Sequence, residues 1–372
     1  MPNPNAIVSR VVRIEPPLDR AGTDERAFSI ELENNRAVRL DPADGASNGR
    51  ARVLDGLRQL HKPVYLEIDP ATSFITQLLI PYVTRVQGIR HLDTGVLSVE
   101  IEQSHAQHLL RESTPDAAEL EKLLRESLRT RMPITVAETD AHEIIDVRPF
   151  APGPEGLPPF PRSEFPPHVP WSWDWIKYKL WRVWCWRCWP WWWFRCISMT
   201  RAQQVFDSMS ATSCAPLTVP PPCIPFMYPD DGCWGRASEM CRLMINMGLG
   251  PKKVWIQGWL HASTKNNPNC FVNWGWHVAP TLCVRGPMFW QVQDMVIDPS
   301  LFTTPVPKAT WKGVQGDPNA TLTPTAASIF MLFGMITDPA YVQTNTVLAT
   351  YRLNLLNRSL LPGGPPPYAN CP

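Results

Sequence analysis

Hydrophobic and polar positions change rhythm along the 372 residues, and the changes divide the chain. In the first 150 residues an alternation with period two predicts strands at 7–14, 27–32, 64–68, 74–80, 83–89 and 96–101. Two helical stripes interrupt it: Val53, Leu54, Leu57 and Leu60 within 50–60, and Leu120, Leu123, Leu124 and Leu128 within 116–128, where Pro115-Asp116 is a start signal. Short strands at 134–136 and 143–147 close the pattern. Residues 1–150 therefore read as a small α+β N-terminal domain.

The rhythm then stops. Residues 151–170 carry eight prolines and read as a semi-rigid extended linker. Residues 171–199 form a Trp-rich segment; ten of the 17 Trp fall in 171–196, interleaved with Lys177, Lys179, Arg182, Arg187 and Arg195. That mixture suits contact with a membrane surface, or an aromatic surface between domains. Helical and strand periods resume in 200–372, after a second Pro-rich stretch at 211–229.

Among these later residues a single helix stands out. It opens at Asp230-Asp231-Gly232-Cys233-Trp234-Gly235-Arg236-Ala237. Ala237, Met240, Cys241 and Met244 follow at helical spacing, and Gly248, Gly250 and Pro251 end it. Asp230 or Asp231 is placed to accept hydrogen bonds from first-turn amides. A thiol there feels the positive end of the helix dipole, which favours thiolate; the alternative is a buried structural cysteine. Residues 253–260 read as a strand, 263–269 as a turn, 271–284 as a strand carrying His277, and 291–297 as a strand running into Asp298. Thiol chemistry needs an imidazole to share the proton and a carboxylate or amide to fix the imidazole tautomer. Cys233, His277 and Asp298 supply these groups in chain order, though spacing alone carries little weight.

Composition narrows the classes. A formal net charge of +1 gives no reason to expect nucleic acid as a partner. The first residues show no basic stretch followed by an apolar core, so no secretory signal is visible, and no apolar run spans a bilayer. All ten Cys lie from Cys185 onward. With Cys233 set aside nine remain, so at least one further thiol stays free or pairs between chains. Cys270 and Cys283 are candidates for a disulfide in an oxidising compartment. Cys185 and Cys188 lack the second close pair a zinc site wants, Cys214 and Cys223 being too far apart. Five of the eight His (His61, His91, His105, His108 and His142) lie in the first 150 residues. His105 and His108 are spaced for one helix face and read as solvent-facing, and no catalytic constellation is visible in that half.

Four strings carry a family resemblance. The helix opening Asp231-Gly232-Cys233-Trp234-Gly235-Arg236-Ala237 is followed by Gly258-Trp259-Leu260-His261-Ala262-Ser263-Thr264. Trp274-Gly275-Trp276-His277-Val278-Ala279 and Val296-Ile297-Asp298-Pro299-Ser300-Leu301-Phe302 come next. Their order and intervals resemble those of bacterial protein glutaminases, which convert protein-bound glutamine to glutamate. Thr344-Asn345-Thr346-Val347-Leu348 also resembles that family's closing strand. The resemblance covers roughly 225–355. It implies an α+β fold with a papain/transglutaminase-like catalytic core, in which the helix carrying the Cys packs on an antiparallel sheet. It also implies Cys233, His277 and Asp298 as catalytic residues; Trp274 and Trp276, with Trp234, either wall the substrate site or serve as buried packing. The reaction implied is deamidation through a thioester, with a protein or peptide bearing an accessible Gln as partner and with no cofactor or metal.

Relatives carry a signal peptide and a pro-region over the cleft. Residues 1–150 match the size of such a region, which leaves them open between an inhibitory pro-like domain, a delivery or recognition module, and something unrelated. The resemblance suggests export; localisation is otherwise open. The same three residues would serve a transglutaminase or a cysteine protease, and a binding module with a vestigial site is a reading from another class.

Overall fold

The computed structural model describes residues 5–18, 28–92, 95–102, 104–150, 196–286, 288 and 291–371. The Pro-rich linker, residues 171–195 of the Trp-rich segment and the pair Cys185 and Cys188 lie outside the described residues.

The chain is a mixed α/β structure of antiparallel sheets. β1 (Ala6–Glu15), β2 (Ser29–Leu32) and β3 (Ala37–Arg39) are followed by α1 (Ser47–Gln59), β4 (Pro63–Ile68) and β5 (Ile75–Leu79). These strands form one sheet in the order β3-β2-β1-β4-β5. The single strand expected at 83–89 is two strands. β6 (Tyr82–Thr84) and β7 (Val86–Leu92) part at Arg85, whose side chain turns out to Glu102 and the Arg131 carbonyl. β7 pairs with β8 (Val96–Ile101), which pairs with β9 (His108–Arg111). After α2 (Ala117–Thr130), β10 (Ile134–Glu138) sits between β11 (Ile144–Pro149) and β6.

The later residues build a second five-stranded sheet. α3 (Met199–Ser210) and α4 (Cys233–Asn246) precede the long strands β12 (Lys252–Ser263) and β13 (Phe271–Arg285), then β14 (Val292–Val296) and β15 (Val306–Pro307). α5 (Lys308–Gly313) leads to β16 (Thr321–Ala326), and the order is β15-β14-β13-β12-β16. β17 (Ile329–Met331) pairs with β18 (Ile336–Thr337) before α6 (Val342–Ser359). Residues 344–348, expected as a strand, lie in α6. Thr344, Leu348, Tyr351 and Leu355 are buried at helical spacing, and the Asp338 carboxylate accepts from the Thr344 amide at 2.7 Å.

One apolar core joins the two halves. Ile7, Leu54 and Leu57 from the first sheet and α1 share a cluster with Cys233 and Trp234 of α4 and Tyr351 and Leu355 of α6. α4 packs against β13, and every residue from Cys233 to Cys241 is buried. Such a helix is covered on all sides over its first turns, which fixes the thiol rigidly. Cys196 bonds Cys283, Cys214 bonds Cys223, and Cys270 bonds Cys371. Cys270 and Cys283 are thus each bridged, but to other partners than one another. Cys241 is the further free thiol among the described residues.

Candidate active site

Gly232 sets where α4 begins. Its φ is +79°, a left-handed conformation that costs a side-chain-bearing residue, and a Cβ there would stand 2.3 Å from the Tyr351 ring. Cys233 follows as the first helical residue, with the first-turn amides of the helix around it. Neither preceding aspartate caps that turn by its side chain. Asp231 instead accepts from the Gly232 amide at 2.9 Å, the His105 amide at 3.2 Å and the Tyr82 hydroxyl at 3.1 Å. Asp230 is taken by Arg358 and Asn267. Arg236, buried one turn into α4, donates back to the carbonyls of Tyr228 and Asp231 and holds the loop against the helix.

β13 delivers His277 and the residue pair after β14 delivers Asp298. The register is set by Thr281 opposite Val296 and by the Ile297 amide on the Pro280 carbonyl at 2.9 Å. His277 Nε2 lies 2.9 Å from Asp298 Oδ2, and the Trp311 indole donates to the same oxygen at 2.9 Å. The Ser300 amide donates to Asp298 Oδ1 at 3.2 Å. Burial would raise the Asp298 carboxyl, but the facing His277 and the Trp311 indole hold it below the ordinary range. With Nε2 engaged, Nδ1 is the free nitrogen of His277, and it has no hydrogen-bond partner among the described residues. Trp274 stacks on the His277 ring at 4.4 Å and 13°, and its indole donates to the Asp230 carbonyl at 3.0 Å. Trp276 and Trp234 stand with centroids 5.6 Å apart.

The first 150 residues reach into this group. Residues 104–107 run antiparallel along β13: Gly275 donates to the His105 carbonyl at 2.8 Å and the Gln107 amide to the Asn273 carbonyl at 3.1 Å. The Gln107 side chain donates to the Trp274 carbonyl at 3.0 Å. This is strand addition to a sheet, the mode by which extended peptides are held. It puts His105 Nδ1 3.5 Å from the Cys233 sulfur and 3.0 Å from the Trp276 carbonyl, with Trp234, Trp274 and Trp276 around the ring. His105 and His108 are therefore not on a helix and not in solvent: one lies in this extended segment, the other in β9, and both are buried. Burial, with His277 beyond it, pushes the His105 imidazole well below its ordinary value, so it is neutral. Burial likewise pushes the Cys233 thiol well above its ordinary value, against the lowering by Arg236, so in this closed arrangement the sulfur is a thiol. The thiolate expected from the helix dipole alone is overridden by the lost water.

A thiol, a histidine of the same buried cluster with one nitrogen unpartnered among the described residues, and a buried carboxylate on that histidine are the groups that nucleophilic attack on a carbonyl needs. Residues 202–315, which contain all three, match the family model described as glutaminase. Over that stretch the chain is similar to the glutaminases. The crystal structure of a pro-protein-glutaminase shares the fold, with a TM-score of 0.51 at 22% identity over 79% of this chain and 99% of that one. The NMR structure of protein-glutaminase from Chryseobacterium proteolyticum aligns at 28% identity over 48% of this chain and 97% of that one, with a TM-score of 0.39. Among the curated proteins none matches. The glutaminase relationship covers the three residues singled out from the sequence; it leaves out His105, which no periodicity in 102–107 marks.

Proposed function

We propose that the protein hydrolyses the side-chain amide of glutamine in proteins or peptides, giving glutamate and ammonia through a thioester on Cys233. The observation that carries this is the buried His277–Asp298 pair, whose imidazole keeps Nδ1 unpartnered among the described residues and belongs to the same cluster as a thiol at a helix start. His277 takes the Cys233 proton as the sulfur attacks the amide carbon, and returns it to the departing ammonia. First-turn amides of α4, that of Cys233 included, stabilise the oxyanion. Water deprotonated by His277 then cleaves the thioester and frees glutamate. Asp298 keeps the His277 proton on Nε2 throughout. Trp274, Trp276 and Trp234 wall the place of the glutamine side chain. The core is papain/transglutaminase-like in this reading, the Cys-bearing helix lying on an antiparallel sheet.

Residues 1–150 act here as an N-terminal domain that inhibits in cis, with 104–107 as a plug in the substrate's place. The support is the strand addition on β13 and His105 against the thiol. Three disulfides among the described residues favour an oxidising compartment and hence export. No helix among the described residues is long and apolar enough to cross a membrane. The expected membrane-surface contact through 171–196 concerns residues almost all outside those described.

The test is ammonia release from a glutamine-rich protein such as casein. The full chain is compared intact and after cutting at a protease site introduced within 151–195, each with Cys233→Ala alongside. We expect ammonia without peptide-bond cleavage, rising after the cut and lost in Cys233→Ala. Amine incorporation in place of ammonia release would point to a transglutaminase, and chain cleavage to a protease.

A further inference from the structure

The mechanism above assigns no chemistry to His105. The Cys233 thiol and a ring nitrogen of each of His105 and His277 lie within 4.8 Å of one another, and each of the three residues is only 1% exposed. His277 presents Nε2 to Asp298 at 2.9 Å and keeps Nδ1 without a hydrogen-bond partner among the described residues. His105 differs: its Nδ1, 3.5 Å from the sulfur, also lies 3.0 Å from the Trp276 carbonyl, to which it donates, while Nε2 lies 3.3 Å from Asp231 Oδ1 without a hydrogen bond to it. Each imidazole thus has its Nε2 beside a buried carboxylate; Nδ1 of His277 is unpartnered among the described residues, and Nδ1 of His105 is the nitrogen nearest the thiol. Proteins orient metal-ligating histidines in this way, the outer carboxylate fixing tautomer and ring direction. The spacing also fits. Zinc–sulfur and zinc–nitrogen bonds of about 2.3 and 2.0 Å in a tetrahedron set sulfur and nitrogen roughly 3.5 Å apart. One thiolate and two imidazoles are the donors that select zinc over magnesium or calcium.

We propose that the closed chain binds one zinc-class divalent ion through Cys233 Sγ, His105 Nδ1 and His277 Nδ1, a latch that fastens the 104–107 segment over the site. Binding releases the thiol proton to solvent and moves the His105 proton from Nδ1, where it faces the Trp276 carbonyl, to Nε2 beside Asp231; His277 presents Nε2 to Asp298 as before. The ion occupies the sulfur and its base together, and one of its ligands belongs to the segment. When that segment leaves, two ligands remain and the ion goes with it. The cluster of His108, Glu138 and His142 is a weaker candidate. There the Glu138 carboxylate already bridges both imidazoles, at 2.5 and 2.6 Å. The latch does not rest on the deamidation reading, since it concerns binding alone.

The probe is Co(II) added to the full chain under non-reducing conditions. We expect one equivalent to give tetrahedral d–d bands with a thiolate-to-cobalt charge-transfer band, both displaced by Zn(II). Cys233→Ser abolishes the charge-transfer band. Asp231→Asn weakens binding roughly 10–100-fold, and His105→Ala more than that. Zinc-edge X-ray absorption on the unaltered chain reports one sulfur and two imidazole nitrogens, which keeps the test independent of how the variants fold. No thiolate band, a band that survives Cys233→Ser, or an absorption spectrum with no sulfur or with two would overturn the latch. The same holds if His105→Ala binds as tightly as the parent.

Discussion

His105 Nδ1 lies 3.5 Å from the Cys233 sulfur although the residues are 128 positions apart in the chain. The contact follows from two ordinary features. Residues 104–107 add to β13 through main-chain hydrogen bonds at Gly275 and Asn273, and a left-handed Gly232 starts α4 beside that strand. The added segment comes from the first 150 residues and the helix start from the later half. The apolar cluster beneath runs from Ile7 to Leu356 without a break between the halves. The fold and the covering of Cys233 therefore have one origin, the burial of its helix by residues from both halves.

The first prediction concerns Asp298→Asn. The amide keeps the shape of the carboxylate but can turn a donor toward His277 Nε2, leaving the imidazole proton on Nδ1, where the thiol proton has to go. We expect turnover of the linker-cut enzyme to fall roughly 10⁴-fold with KM nearly unchanged. Steady-state ammonia release measures it. A loss under about tenfold would remove Asp298 from the orienting role.

Thiol labelling is the second. Cys233 is 1% exposed and its pKa is raised by burial, and thiolate at neutral pH falls about tenfold for each unit of that rise. Iodoacetamide at pH 7 should therefore modify Cys233 slowly in the intact chain and faster after the linker is cut and the first residues dissociate. Cys241, free and buried two turns along the same helix, serves as the internal control and should stay slow in both. Equal rates for the two cysteines after the cut would show that the site is not activated by opening. Peptide mapping of the labelled sites reads the result.

Much of the later half was legible in the sequence, for reasons visible in its residues. Strands β12 and β13 are long, largely apolar runs separated by a turn rich in Asn, and the strings around Cys233, His277 and Asp298 are those that carry the family resemblance. The structure brings His277 and Asp298 into hydrogen-bond contact and puts Cys233 in the same buried cluster. What could not be read depends on residues remote in sequence. His105, His108 and His142 look polar and exposed one by one; they are buried because Asp231 and Glu138 receive them. Residues 344–348 are β-prone locally, yet the apolar spacing continuing to Tyr351 and Leu355 makes them helical. Disulfide pairing is fixed by which strands meet, and Cys371 is 101 residues from Cys270.

A third prediction separates two arms of one ion-pair network. Arg358, fully buried on α6, binds Asp230 with two nitrogens and reaches Asp140, whose side chain is 31% exposed. Arg358→Leu leaves the buried Asp230 carboxylate without its cation and should cost about 3–5 kcal/mol of folding stability. Asp140→Ala removes only the partly exposed partner and should cost about 1 kcal/mol or less. Urea unfolding of the two variants decides. Similar losses would mean that the buried arm to Asp230 contributes no more than the partly exposed arm to Asp140.

The last prediction follows from His142, which sits where β10, β11 and the loop before α4 meet. Glu138, Asp230 and Asp231 act on it, and His108 meets its ring edge-on at 5.6 Å. Burial alone would lower its pKa, but the Glu138 carboxylate with its hydrogen bond, and the two aspartates, raise it to about 9. Glu138 is correspondingly held well below the usual carboxylate range. An imidazolium whose folded pKa exceeds its unfolded value of 6.5 stabilises the fold fully below that value and loses its contribution as pH rises through 9. Between those limits the intact chain should lose stability, and its hold on the Asp230–Asp231 loop should slacken. His142→Gln cannot gain that proton, so its urea midpoint should start lower at pH 6 and converge with the parent's by about pH 9.5. Parallel curves across the window would show that the charge on His142 plays no part in fastening the first residues over the thiol.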